Sequence, residues 1–167
     1  CDEQPASMQS MLLLPLLRSG RHQQAWSAHV RAYRKHAHSL EHVANVGWHL
    51  SYLALSGHLD RGLRLLRHHA PWTARSDSAA ALVDLLTGMT LVLREAVREG
   101  RGDEPLEVEL PENTLWAPGW SVEGPATLAQ AAARTEDWAR ALTARFDARN
   151  GNRVRTELLE ESLAMPP

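Results

Sequence analysis

Cysteine is nearly absent from this 167-residue chain: Cys1 stands alone, so neither an intrachain disulfide framework nor a cysteine-based zinc site can form. Thiol redox chemistry is disfavoured, and a reducing cytoplasm fits. Lysine is as scarce, with Lys35 the single lysine among eighteen basic side chains, and one phenylalanine stands against six tryptophans. No apolar run approaches the roughly 18 residues needed to cross a bilayer. The longest runs from Met11 to Leu17 and is interrupted by Pro15. No glycine-rich phosphate loop, His-Glu-x-x-His or Gly-x-Ser-x-Gly motif occurs, so the common phosphate-binding and hydrolytic signatures are missing. A chain that opens on Cys1 without a basic, apolar leader reads as an excised fragment or processed product, with a mature bacterial lipoprotein as the alternative. Abundant Ala, Arg and His beside a single Lys suggests a GC-rich, actinobacterial-type composition, which lowers the weight of any one Arg or His.

What is present is helical periodicity. Trp26, Val30, Tyr33 and Ala37 recur on one helix face after Gly20. Val43, Val46, Leu50, Leu53 and Gly57 form a second stripe, while Trp48, Tyr52 and Leu55 cover another side, so this helix is expected to lie between neighbours. Leu59, Leu63, Leu66 and Ala70 form a third stripe that Pro71 ends. A long helix is predicted over 78–99, with Thr87-Gly88 marking a bend and Gly100 a stop. Pro15 predicts a kink or a helix start. From 101 to 125 the period vanishes, and Pro105 to Pro111 alternates apolar and acidic residues, the pattern of an extended segment. Helical spacing resumes at Leu128, stops at Asn150-Gly151-Asn152, and a terminal helix is predicted over 154–164.

Three turns agree in pattern: Ser19-Gly20 before Ala25, Ser56-Gly57 before Gly62, and Arg134-Thr135 before Ala141. A tight turn followed by a small side chain lets the second helix of a hairpin approach the first. On Leu13, Leu16, Gly20, Ala25 and Ala32, then Leu50, Leu53, Gly57, Gly62 and Leu66, the chain resembles degenerate tetratricopeptide repeats, with Trp138, Ala141 and Ala148 as the second helix of a third. The resemblance implies an all-α stack of antiparallel hairpins, a helical solenoid or bundle, interrupted by an acidic extended insertion. As a single domain it would comprise two hairpins over 8–70, a long helix over 78–99, the acidic loop over 101–125, a third hairpin over 125–149 and the terminal helix. Such folds imply protein binding.

The net charge of −2 hides a division. Residues 18–75 hold nine basic and two acidic side chains, or +7, whereas residues 76–167 hold nine basic and sixteen acidic, or −7. Summed over a surface, such an excess steers acidic partners even where single ion pairs contribute little. Arg31, Arg34, Arg61, Arg64 and Arg67 are candidate contacts for a protein or acidic peptide, and Trp72, Trp116 and Trp120 join them because they fall in connections rather than on helix stripes. The acidic run 103–112 could meet the basic half within the same chain. Nucleic acid is disfavoured by the overall acidity and the lack of a reading motif.

All nine histidines fall between His22 and His69. His22, His29 and His36 recur every seven residues, and His38, His42 and His49 follow at four and seven, spacings that share a helix face. A histidine-rich metal-binding or metal-sensing protein is therefore the alternative to an interaction module, and an enzyme with an interhelical cleft is the third. The leading expectation is a scaffold or regulatory module of a bacterial cytoplasmic protein, with surface and interhelical histidines, no cofactor, no metal and no catalytic residue.

Overall fold

The computed structural model describes residues 4–122 and 125–166. Among these the fold is all-α, without a strand. In chain order α1 is Gln4–Met11, α2 Leu13–Arg18, α3 His22–His36, α4 Val43–Leu55 after a 3-10 turn at Leu40–His42, α5 Leu59–His69, α6 Trp72–Arg75, α7 Ala79–Arg98, α8 Leu128–Asn150 and α9 Val154–Leu163. No helix among the described residues is long and apolar enough to cross a membrane.

The boundaries follow local chemistry. Pro15 lies in the first turn of α2, where its missing amide and fixed φ do no harm, and the break at Leu12 accommodates it. The Ser78 side chain accepts from the Ala81 amide at the start of α7, and Thr127 with Gln130 forms a capping box on α8. Gly20 and Gly57 take φ of 72° and 74° at the ends of α2 and α4, a left-handed turn that admits glycine without strain.

α4 is the central element. Ten of its thirteen residues are buried, which agrees with a stripe pattern apolar on two sides. It packs chiefly against α7, which in turn packs against α8, while α3 lies on α1 and α2, and α9 lies on α8. The approach of α4 and α7 is unusually close. A Cβ on Gly47 would fall 2.2 Å from the Asp84 carbonyl oxygen, and one on Gly88 would fall 2.2 Å from the Gly47 carbonyl oxygen. Gly88 thus serves a backbone-to-backbone contact.

Two differences from the sequence reading have physical reasons. The stripe of α3 lies one position away from the expected one: Ala25, Ala28, His29, Ala32 and His36 are buried, whereas Trp26, Val30 and Tyr33 flank them half-exposed. Small side chains face the neighbours and large ones close the edges, so hydrophobic size alone misplaces the face. The predicted third hairpin over 125–149 is a single helix instead, α8, running through Arg134-Thr135 without a turn. That stretch holds neither Gly nor Pro. Thr135 Oγ1 bonds back to the Ala131 carbonyl at 3.0 Å and accepts from Thr90 Oγ1 at 2.9 Å, which pins α8 to α7 at the predicted turn.

Between α7 and α8 the described residues form an irregular ribbon with isolated antiparallel bridges Pro105↔Thr127, Leu110↔Val122 and Asn113↔Ala117. The alternation read from the sequence is realised: Leu106 and Leu110 are buried while Glu107 and Glu109 face solvent. Leu106 and Leu110 belong to the core, which ties the acidic run to the helices. Asn113 anchors its far end. Its Nδ2 donates to the Thr73 and Ser76 carbonyls, both at 2.9 Å, and its Oδ1 accepts from the Leu115 and Trp116 amides. Asn113→Ala removes four hydrogen bonds, two of them to buried carbonyls, and is expected to destabilise the protein by about 3 kcal/mol in urea titration.

Candidate functional site

The chemistry-bearing side chains of α3, α4 and α5 meet in one buried network. α3 supplies His29, Tyr33 and His36, α4 supplies His49, and α5 supplies Arg61 and His69. All four histidines are fully buried. Arg61 Nε donates to His29 Nε2 at 3.2 Å, His29 Nδ1 lies 3.1 Å from His49 Nδ1, and His49 Nε2 lies 3.2 Å from His36 Nδ1.

Arg61 sets the direction of this relay. A guanidinium only donates, so His29 accepts on Nε2 and carries its proton on Nδ1. That proton is donated to His49 Nδ1, which places the His49 proton on Nε2, from where it is donated to His36 Nδ1. The His36 proton then resides on Nε2, an atom that is buried without a partner among the described residues. Beside the relay, the Tyr33 hydroxyl and His69 Nε2 are hydrogen-bonded at 2.9 Å, and His69 Nδ1 is likewise buried and unpartnered.

Burial keeps these rings neutral. It lowers His29 to about 3, with help from the charges of Arg61 and His58, and lowers His36 to about 4, with help from His42 and Lys35. His69 is lowered to about 3 by burial and then by His68 and His38. His49, surrounded by the other three, is held well below the ordinary histidine range, again chiefly by burial.

The relay opens on a polar cleft at its Arg61 end, lined by Trp26, His58, Asp60, Arg61, Arg64 and Arg101. The Arg61 guanidinium carbon sits 5.3 Å over the Trp26 ring, whose other neighbour is His58 at 4.5 Å. Arg101 is committed to Asp60 at 2.8 Å and Glu104 at 2.9 Å. Neither Arg61 nor Arg64 has a carboxylate partner among the described residues. Arg61 is therefore held by its Nε and its ring contact, leaving its terminal nitrogens uncommitted.

The residues singled out from the sequence are distributed over several places. Arg31 lines a groove against Leu12 and Leu16, and Arg34 stands exposed on α3. Arg61 and Arg64 share the cleft. Arg67 binds the acidic run, donating Nε to the Leu106 carbonyl at 3.0 Å and pairing with Glu107 at 3.1 Å. Glu107 there takes a φ of 68°, a strained angle for a residue with a Cβ. Trp72 meets His69 edge-on at 4.3 Å, Trp120 stacks on Trp138 at 6.2 Å, and Trp116 borders a separate cavity with Phe146.

Among the described residues no three His, Cys, Asp or Glu side chains could hold a metal ion together. The reason is visible in His49, which spends its two nitrogens on neighbours at opposite ends of its ring, so the cluster is a line rather than a convergence. Compared with known proteins, the chain matches no family model, no curated protein and no solved structure.

Proposed function

We propose that the chain is a protein–protein interaction module, a scaffold of tetratricopeptide-like helical hairpins in a bacterial cytoplasmic protein, that takes an acidic segment of a partner at the Arg61 cleft. Two pairs of neighbours support the hairpin reading: α2 lies against α3 and α4 against α5, each pair joined by a tight turn at a left-handed glycine. The observation that carries the reading is Arg61 itself. A guanidinium already held by Trp26 and by a neutral histidine, and lacking a counter-ion, loses little freedom when it grips a carboxylate with its remaining donors. Arg64, one turn on and exposed, adds charge that steers an acidic chain toward the cleft. The Arg67 contact with Leu106 and Glu107 illustrates the same chemistry within the molecule, a guanidinium bridging a carbonyl and a carboxylate of an extended acidic segment.

The test is affinity capture from the source cell with the intact chain, followed by titration of the captured protein's acidic segment. Arg64→Glu is expected to weaken that binding about tenfold while leaving the melting temperature unchanged. Binding of equal strength by wild type, Arg64→Glu and Arg61→Ala would contradict the reading.

A further inference from the structure

A second cavity lies far along the chain from the histidine relay and shares no residue with the Arg61 cleft. It holds about 130 Å³ and is bounded by Ala79 at the start of α7, Trp116 of the ribbon, and Leu142, Arg145, Phe146 and Arg149 of α8. Two aromatic rings, Leu142 and Ala79 give it apolar walls. A dry apolar cavity of roughly 150 Å³ accepts a ligand of benzene size, so the space suits one small planar body.

Its charged side chains, Arg145 and Arg149, are both cationic. Arg145 Nη1 donates to the Trp116 carbonyl at 2.5 Å, which fixes the guanidinium at the rim, and the Arg149 guanidinium lies 5.5 Å over the Phe146 ring. Neither arginine has a carboxylate partner among the described residues. Arg155 stands over Phe146 as well, at 5.7 Å. Residues 145–155 contain four arginines, and their one carboxylate, Asp147, is engaged in accepting from the Arg155 and Thr156 amides at 2.9 Å, where it caps α9. This corner is cationic within a half of the chain that is otherwise acidic. The Trp116 ring walls the cavity, and its Nε1 is buried without an acceptor among the described residues, so the indole resonance reports on this wall.

From the apolar walls and the uncompensated guanidinium pair, we infer that this cavity is a binding site for a small planar monocarboxylate, an aromatic acid of benzoate size. The ring lies against Trp116, Phe146 and Leu142, and the carboxylate is received by Arg145 and Arg149. Charge complementarity selects the acid over a neutral ring of the same shape, and the apolar walls select it over an inorganic anion.

The indole resonance of Trp116, identified by its loss in Trp116→Phe, reports on the site directly. Titration with sodium benzoate is expected to shift that resonance saturably at millimolar concentration or below. Benzyl alcohol should bind about tenfold more weakly, and inorganic phosphate should leave the resonance in place. Arg149→Gln is expected to weaken benzoate about tenfold while the other indole resonances keep their positions, which separates loss of binding from loss of fold. Absence of a saturable shift with benzoate, equal binding of benzyl alcohol, an equal response to phosphate, or full benzoate affinity in Arg149→Gln would each overturn the assignment.

Discussion

Alanine at Gly88 is expected to destabilise the protein by about 3 kcal/mol or more, among the largest effects of a single methyl group in this fold. The added Cβ would meet the Gly47 carbonyl oxygen at 2.2 Å and the Leu50 Cβ at 2.9 Å, and backbone atoms cannot step aside as a flexible side chain can. α4 and α7 would have to separate, and the leucines between them, Leu50, Leu53, Leu82 and Leu86, would lose contacts together. Gly47→Ala meets the Asp84 carbonyl oxygen at the same distance and should behave alike. Gly62→Ala is the internal control. Its Cβ would crowd the Val92 methyl groups, at 3.1 and 3.2 Å, with Leu53 Cβ at an ordinary 3.7 Å, and the helix propensity gained, about 1 kcal/mol, offsets much of that crowding. Urea denaturation of the three variants should order them with Gly88→Ala and Gly47→Ala far below Gly62→Ala.

The second large effect is acid lability. His29, His36 and His69 are held at about 3, about 4 and about 3 in the folded chain, against about 6.5 when unfolded. The unfolded state therefore binds more protons between about pH 6.5 and the folded values, and stability falls as the solution is acidified through that range. Above that value both states hold neutral rings and the term vanishes. At about pH 5 each of the three contributes about 2 kcal/mol of destabilisation, so together they remove about 6 kcal/mol, comparable to the whole stability of a small domain. His49 acts in the same direction. The expected result is cooperative unfolding between about pH 6 and pH 4, followed by far-ultraviolet circular dichroism. Replacing both members of the Tyr33–His69 pair by Phe and Leu removes one titrating group and should move the midpoint to lower pH. A chain that stays folded to about pH 3 would contradict this account.

Much of the architecture was legible because its signals are local. Ser78 and Gly100 bracket α7 through capping chemistry, the central burial of α4 follows from apolar residues on two sides, and the period-two run after Pro105 is realised in buried Leu106 and Leu110. The misreadings share one cause. A turn inferred at Arg134-Thr135 rested on likeness to other turns, and the buried face of α3 was assigned by side-chain size, whereas tertiary contacts decide both. The relay was illegible for the same reason. His29, His36, His49 and His69 lie on three helices, and each alone reads as a surface or interhelical polar residue. One signal was available: His29 and His36 fall in register with Ala25 and Ala32, so placing the small residues inward brings the histidines inward too.

The neutral, directional histidine relay that holds Arg61 is the centre of this account, and nitrogen-detected NMR of the imidazole rings tests it most directly. At about pH 6 the spectra should show His29 protonated on Nδ1, His49 and His36 on Nε2, and none of the three as imidazolium. Arg61→Ala should release this order by removing the donor that fixes it. Imidazolium signatures for these rings at that pH, or a wild-type pattern with His29 protonated on Nε2, would contradict the relay and the Arg61 cleft built upon it.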